Sequence, residues 1–398
     1  MKVPARSMGI ILLFVLVGCA SPVRVTTPPV VSIDPPALAA TEISNLDSNN
    51  VNDIGSIQPI DNMFNERAAH TATLLENGEV LIAGGFGQGD NTYKDSAELY
   101  DPMIGKFAFT GNMSINRCCH TATRLLDGRV LIAGGFNGDY LSNAEIYDPE
   151  TGEFTSTGSL TTPRMDHVAV LLDNGKVLLA GGVGTDWTFL SSAELYDPET
   201  GTFIPTGNMS VARESHAVTK LQDERILITG GHRGRQSSII IYDSAEIYNP
   251  NTGLFTETSH MTMPRHKHDA VLLSDGKVLI TGGSDESDDQ NAYTSAEIFD
   301  LVTETFSKIG NMPTVRYKHI GTSLLLKNGN VLLAGGARNA VIYDEQQNKF
   351  LTVPGDLGTA TLSRLFSTAT LLSNESVLIT GGYGIGQNVS PKAWIYSP

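Results

Sequence analysis

The chain has 398 residues, of which 40% are hydrophobic and 18% charged, and its formal net charge at pH 7 is −16. This composition is sufficient for a large core. The acidic balance argues against a domain that binds nucleic acid or an anionic bilayer through its own surface. Cys19, Cys118 and Cys119 are its cysteines, and they predict no disulfide framework, because adjacent cysteines rarely bridge each other.

Residues 1–18 predict a signal peptide. Lys2 and Arg6 precede an apolar stretch at residues 10–17, which is too short to span a bilayer permanently. The sequence Leu-Val-Gly-Cys, ending at Cys19, closely resembles a bacterial lipobox, and this resemblance implies cleavage before Cys19 and lipidation of that cysteine. The alternative is an ordinary secretory signal with an incidental cysteine. A lipid anchor would place the protein in a bacterial cell envelope, at the outer membrane if the host has one.

Residues 19–55 are predicted to form a disordered tether. They are rich in Pro, Ser, Thr, Asn and small apolar residues, and they show no periodicity. The folded domain is therefore expected at residues 56–398.

A repeated unit occupies this domain. The copy at residues 117–147 contains an Arg-x-x-His start, an apolar run, an Asp-Gly turn, a second apolar run ending in Gly-Gly, a loop and Ala-Glu-Ile-Tyr. Seven Gly-Gly pairs recur at a period near fifty residues, which is typical of a propeller of four-stranded blades. The pairs begin at Gly84, Gly134, Gly181, Gly230, Gly282, Gly335 and Gly381.

Each unit reads as four β-strands. Asn-Gly or Asp-Gly stands at the first turn of five units, and these dipeptides favour two-residue hairpins because both positions need positive φ. One such sheet cannot bury both of its faces, so the units must stack in a ring.

The repeat resembles the kelch motif. An arginine opens every unit, and a histidine follows three residues later in all but the last, which has Ser367. This resemblance implies an all-β, seven-bladed kelch β-propeller similar to the central domain of galactose oxidase. Many kelch propellers bind proteins or glycans. The two series are Arg67, Arg117, Arg164, Arg213, Arg265, Arg316 and Arg364, and His70, His120, His167, His216, His268 and His319.

The last unit lacks a fourth strand. In the first five units an aromatic residue stands ten residues before the next arginine, and Ile57 stands ten residues before Arg67. Residues 56–60 are therefore predicted to supply the outer strand of the last blade, which removes an exposed sheet edge.

The direction of travel through a blade places the Arg-x-x-His start and the loop after Gly-Gly on one face. These loops vary, and variable loops on a rigid scaffold commonly bind ligands. Features that change between blades are better candidates than the repeated arginines, although the aromatic residues could instead pack against neighbouring loops. The candidate ligand-binding residues are Tyr140, Asp166, Trp187, Glu214, Lys267, Tyr293 and Tyr317.

The repeated polar residues favour structural roles. The histidines are predicted to be hydrogen-bonded on the inner strands, and the arginines to pair with carbonyls or with the repeated glutamates, rather than with an anionic ligand. No metal site or cofactor is expected. The acidic loop at residues 284–289 could bind Ca²⁺, but it lacks the spacing of a calcium hand, and a solvated loop is the preferred interpretation.

Three functions remain open. A lipid-anchored adaptor that binds a protein or glycan is the first, and a structural envelope component is another. The resemblance also admits a carbohydrate-active enzyme, such as a sialic-acid epimerase, with Asp166, Glu214 or Lys267 in acid–base roles. A copper oxidase is rejected, because that family's two tyrosines, two histidines and cross-linked cysteine are not reproduced here.

Overall fold

The computed structural model describes residues 54–89, 92–285, 291–358, 364–384 and 388–398. The predicted signal peptide, Cys19 and the tether up to residue 53 lie outside the described residues, as do residues 286–289 of the acidic loop. Within the described ranges, no helix has the length and apolar character needed to cross a bilayer.

Seven antiparallel four-stranded sheets form the blades of a propeller. From inner to outer strand, blade 1 comprises Thr71–Leu74, Val80–Ala83, Ala97–Asp101 and Lys106–Phe109. Blade 2 comprises Thr121–Arg124, Val130–Ala133, Ala144–Asp148 and Glu153–Ser156. Blade 3 comprises Val168–Leu171, Val177–Ala180, Ala193–Asp197 and Thr202–Pro205. Blade 4 comprises Ala217–Lys220, Ile226–Thr229, Ala245–Asn249 and Leu254–Glu257.

The remaining blades follow the same order. Blade 5 comprises Asp269–Leu272, Val278–Thr281, Ala296–Asp300 and Thr305–Lys308. Blade 6 comprises Ser323–Leu325, Val331–Leu333, Val341–Asp344 and Lys349–Thr352. Blade 7 comprises Thr368–Leu371, Val377–Thr380, Ala393–Ser397 and Ser56–Pro59. Two small ribbons pair Val183–Gly184 with Thr188–Phe189 and His232–Arg233 with Ile240–Ile241, and they enclose the 3-10 turns Thr185–Trp187 and Gln236–Ser238.

The inner strands meet around a central channel. Thr71–Leu74 of blade 1 contacts the inner strand of blade 2 on one side and that of blade 7 on the other, and every other inner strand likewise contacts two neighbours. The seven sheets therefore close into one ring.

The outer strand of blade 7 comes from the beginning of the domain. Ser56 lies opposite Ser397 and Pro59 opposite Trp394 in an antiparallel ladder, and the Ile57 N–H also donates to the Pro354 carbonyl. Ile57 is buried between blades 6 and 7. This pairing is the one expected from the spacing between Ile57 and Arg67.

Seven apolar clusters of the core are each shared by two adjacent blades. The second strand of every blade is fully buried, because both of its faces meet a neighbouring sheet. Fully burying a Val, Leu or Ile side chain contributes about 1.5–3 kcal/mol, so these strands carry much of the stability.

Gly-Gly ends each second strand because the next blade approaches closely there. Gly84 has φ +65°, and a Cβ at this position would lie 2.6 Å from both the Arg117 carbonyl oxygen and His120 Cε1. Only glycine fits the backbone conformation and the space. The loop that follows therefore starts at a fixed place beside the channel.

Candidate functional site

An inner polar layer joins the start of each of blades 1 to 5 to the third strand of the same blade. We use this name for five buried arginine–glutamate pairs, with Nη2···Oε1 distances between 2.5 and 2.9 Å and side chains no more than 2% exposed. The pairs are Arg67–Glu98, Arg117–Glu145, Arg164–Glu194, Arg213–Glu246 and Arg265–Glu297.

Each member of the layer also bonds to the backbone. Arg117 Nη1 donates to the Gly134 carbonyl at 2.7 Å, and Glu145 Oε2 accepts the Ser114 N–H at 2.8 Å. The charges are thus paired and hydrogen-bonded, as burial requires. This arrangement supports the structural interpretation of the arginines.

Blades 6 and 7 depart from this layer. Val341 and Trp394 occupy the positions of the glutamates, and burial lowers the pKa of Arg316 to about 9 and that of Arg364 to about 10. Arg316 donates to the carbonyls of Gly335 and Asn339. Arg364 donates to the Leu357 carbonyl at 2.6 Å, and its guanidinium lies 4.8 Å from the Trp394 ring centroid.

The repeated histidines connect adjacent blades. His120 Nε2 lies 3.1 Å from Thr71 Oγ1 of blade 1, and His167 Nε2 lies 3.0 Å from Thr121 Oγ1 of blade 2. Burial, followed by the nearby arginines, lowers the pKa of His120 to about 3. Five of the six histidines are hydrogen-bonded through Nε2 to the preceding blade, as the sequence predicts. His216 is the exception, since neither of its ring nitrogens has a hydrogen-bond partner among the described residues.

A ring of left-handed residues surrounds the channel above this layer. In every blade the residue before the histidine position has φ between 49° and 56°, a conformation uncommon outside glycine. Six hydrogen bonds link neighbouring members of the ring, while no such bond joins the described Ser215 N–H to the Asp166 carbonyl. The members are Ala69, Cys119, Asp166, Ser215, Lys267, Lys318 and Phe366.

In six of the seven units, blade 6 being the exception, the second residue pairs with the residue after Gly-Gly. Glu214 pairs with His232 in blade 4, and His266 with Ser284 in blade 5, whereas blade 1 pairs Ala68 with Phe86. We call this end of the channel the mouth: the ring, these pairs and the loops that follow Gly-Gly. Its polar groups are concentrated on blades 3 to 5.

Aromatic rings line one side of the mouth. Phe136 and Tyr140 make an edge contact with centroids 5.2 Å apart, and Tyr140 and Trp187 make another at 5.9 Å. The Arg235 guanidinium carbon lies 3.1 Å from the Trp187 ring centroid, which is a cation–π geometry. The candidates Tyr140 and Trp187 therefore form a continuous wall, and part of the Trp187 surface is already covered.

Asp166 lies beside this wall with its side chain partly accessible. Burial and the neighbouring Glu214 raise the pKa of Asp166 to about 7, against the opposing effects of Lys267, the Cys119 thiol and Arg235. A carboxyl group whose pKa lies near neutral pH is partly protonated at physiological pH, so it can either donate or accept a hydrogen bond. Four sequence candidates on four adjacent blades, Tyr140, Asp166, Glu214 and Lys267, thus lie within electrostatic reach of Asp166 or Tyr140.

Glu214 begins a hydrogen-bonded chain across blades 4 and 5. Glu214 Oε1 lies 3.0 Å from His232 Nε2, and His232 Nδ1 lies 3.1 Å from His266 Nδ1. Burial alone would raise the pKa of Glu214, but the hydrogen bond from His232 and the nearby cationic side chains hold it below its ordinary value. The buried Glu214 Oε2 has no hydrogen-bond partner among the described residues.

The candidates Tyr293 and Tyr317 lie on blades 5 and 6. Tyr317 packs in an apolar cluster with Leu365 and Tyr383, next to the buried Lys318. The Tyr293 hydroxyl donates to the Pro264 carbonyl at 3.2 Å, and its ring faces the Arg265 guanidinium. Both side chains thus contact neighbouring segments of the propeller.

His232, His266 and Arg235 were not among the sequence candidates. His232 is outside the Arg-x-x-His series, and only the pairing of the residue after Gly-Gly with the residue after arginine brings it to Glu214. A search for polar residues at these two registers would have found the Glu214–His232 pair.

Comparison with known proteins supports the resemblance of the repeat to the kelch motif. The family model described as Kelch motif matches residues 117–161, 164–210 and 270–313. No curated protein matches the sequence significantly. A fungal alcohol oxidase of the AA5 family, in complex with copper, superposes with a TM-score of 0.69 at 16% identity, covering 87% of this chain and 76% of the oxidase. YjhT superposes with a TM-score of 0.58 at 14% identity, covering 74% of this chain and 99% of YjhT.

The residues of the mouth do not fit a copper centre of the galactose oxidase type. Both ring nitrogens of His232 contact side chains, and Cys118 Sγ and Cys119 Sγ contact each other. Across the described ranges, no group of three or more His, Cys, Asp or Glu side chains could hold a metal ion.

The likeness to the oxidase therefore concerns the fold. Since 1006 chains of solved structures match, this fold alone does not select a function. The repeat, the seven sheets and the motif matches lead to one conclusion: the chain is a seven-bladed β-propeller that contains kelch motifs.

Proposed function

We propose that the propeller is a binding module that takes a glycan at the mouth. The observation that carries this proposal is the position of the Tyr140–Trp187 wall beside Asp166 and the unpartnered Glu214 Oε2. Sugars present apolar ring faces and hydroxyl groups, which suit aromatic surfaces and carboxylate acceptors respectively. A buried acceptor without a partner gains a hydrogen bond when a ligand hydroxyl reaches it.

Screening the labelled chain on a glycan array, followed by saturation-transfer NMR with the sugars retained, tests the proposal. Trp187→Ala and Asp166→Asn should each weaken binding at least about tenfold, since one hydrogen bond or stacking contact contributes about 1.4 kcal/mol or more. Leu126→Ala is the matched control, because Leu126 is exposed at the hairpin turn on the opposite face. Equal binding by all three variants, or capture of a peptide and no sugar, would contradict a glycan site in the mouth.

A second candidate function is acid–base catalysis on a sugar. The Glu214–His232–His266 chain favours it, because a carboxylate that orients an imidazole is a common arrangement for moving protons. Incubation with a retained sugar, followed by NMR over time, distinguishes the two functions. Turnover that is lost in Glu214→Gln would establish the enzyme, whereas binding without any chemical change supports the binding module.

We also propose that Cys19 carries a lipid anchor in a bacterial envelope. The basic start, apolar stretch and lipobox-like sequence support this assignment. Expression in a bacterial host should give a membrane-associated chain, and Cys19→Ser should release it into the soluble fraction. Equal release of both forms by mild washing would contradict the anchor.

A further inference from the structure

Cys118 and Cys119 form a close dithiol in the wall of the mouth. Cys118 Sγ lies 3.2 Å from Cys119 Sγ. The backbone turns at Cys119, where φ is +56°, and this residue is a member of the left-handed ring. Cys118 is buried while Cys119 is half-buried, and both pack with Phe136 and Met165. Two adjacent side chains that would normally diverge are thus held together by the propeller.

This geometry brings the sulfur atoms into contact at 3.2 Å, whereas the bond of a disulfide is about 2.05 Å long. Disulfides usually join residues whose Cα atoms are 4.4–6.8 Å apart, whereas adjacent Cα atoms are about 3.8 Å apart. A bond between neighbours is therefore strained, and strained disulfides are reduced more easily than structural ones. Such a pair is suited to reversible oxidation and does not act as a permanent staple.

We propose that Cys118 and Cys119 are a modification site that closes reversibly to a vicinal disulfide and so changes the environment of Asp166. A low-molecular-weight disulfide, such as oxidised glutathione, is the oxidant. A thiolate of the pair attacks one of its sulfur atoms and releases one thiol. The second cysteine then displaces the other thiol, so two protons and two electrons pass to the oxidant as the Sγ–Sγ bond forms.

The reaction is expected to be slow but productive. The hydrogen bond with Cys118, burial and Asp166 raise the pKa of Cys119 well above its ordinary value, so thiolate is scarce at neutral pH. Cys119 is the more accessible of the two and is therefore the expected first nucleophile. The second step is fast in comparison, because the partner sulfur is already adjacent.

Closure affects Asp166 because the Cys119 thiol is one of its neighbours. The other charged or titratable groups facing Asp166 are Glu214, Lys267, Arg235 and Tyr140. The thiol lowers the pKa of Asp166, and a disulfide has no proton to donate. Oxidation therefore removes one of the groups that favour the charged carboxylate and shifts the charge of the mouth near neutral pH.

The chemical test uses the full chain with Cys19→Ser, so that the pair alone carries thiols. The chain is equilibrated with mixtures of reduced and oxidised glutathione, trapped by alkylation and analysed by intact mass and peptide mapping. We expect both thiols to disappear together, with loss of two hydrogen atoms, no dimer and full recovery on reduction. The matched Cys118→Ser variant should show no hydrogen loss. Alkylation of both cysteines under the most oxidising mixture, or accumulation of glutathione adducts alone, would overturn the proposal.

The link to Asp166 has its own measurement. Carboxyl-carbon NMR, with Asp166→Asn to assign the resonance, should show the titration midpoint of Asp166 rising by about half a pH unit on oxidation. Cys118→Ser treated in the same way should show no rise. A midpoint that is the same in the oxidised and reduced chains would overturn the coupling. Neither measurement requires a ligand. A negative result in either one is therefore distinct from failure of the proposed binding function.

Discussion

The inner polar layer and the mouth lie close together but follow opposite rules. In the layer, Arg164 meets Glu194 with the same contacts as the equivalent pairs of four other blades. In the mouth, Asp166 stands only two residues after Arg164, yet the equivalent residues of the other blades are Ala, Cys, Ser, Lys and Phe. Repetition therefore marks contacts that build the ring, and variation marks positions that are free to recognise a ligand.

The largest expected effect comes from breaking the ring itself. Deleting residues up to 62 removes Ser56–Pro59 and exposes the edge of Ala393–Ser397. It also removes the buried Ile57 from the cluster between blades 6 and 7, a loss of about 1.5–3 kcal/mol for that side chain alone. We expect a large fall in melting temperature. A deletion that stops at residue 53 is the control, and equal melting temperatures for the two would contradict closure by this strand.

Acid should destabilise the propeller through the repeated histidines that lie between adjacent blades. Burial first, and the arginines next, lower the pKa of His120, His216 and His319 to about 3, and the pKa values of His70, His167 and His268 are also depressed. A depressed histidine pKa contributes stability that is present above about pH 6.5 and is lost as the pH falls, at up to about 1.4 kcal/mol per pH unit for each group. Asp166 and Asp269, whose pKa values are raised to about 7 and about 6, act in the opposite direction.

Because six histidines outweigh two carboxyl groups, urea midpoints should fall steadily between about pH 6.5 and pH 4.5. The His260→Ala variant is the control. Its urea midpoints should fall over the same pH interval, since His260 is exposed and outside the repeated series. A midpoint that stays flat across this interval would contradict the structural role of the histidines.

Alanine substitutions at two glycines separate the energetic cost of steric contact from that of backbone conformation. Gly84 and Gly105 have φ of +65° and +66°, but a Cβ at Gly84 meets Arg117 and His120 whereas one at Gly105 meets nothing within 4 Å. Gly105→Ala should lower the free energy of unfolding by about 1 kcal/mol. Gly84→Ala should lower it clearly more. Equal losses in a urea titration would show that blade contact does not require the Gly-Gly pair.

Much of the fold could be predicted, because the same repeated residues mark both the strands of each blade and the contacts between blades. The Gly-Gly pairs give the blade count, and Ile57 gives the origin of the last strand. The mouth was less predictable. The positive φ of Asp166 and Lys267 has no sequence signature, and His232 reaches Glu214 only through pairing between loop residues. Arg235 lies on Trp187 because of the turn Gln236–Ser238, and no periodicity reports that contact.

The comparison between the layer and the mouth is tested most directly within blade 3, by the unfolding free energies of Glu194→Gln and Asp166→Asn measured together. Glu194→Gln leaves the buried Arg164 without its counter-charge and should cost about 3–5 kcal/mol. Asp166→Asn should leave stability unchanged or raise it, because burial opposes the charged form of Asp166. Equal losses for the two variants, or a larger loss for Asp166→Asn, would contradict the assignment of structure to the layer and recognition to the mouth.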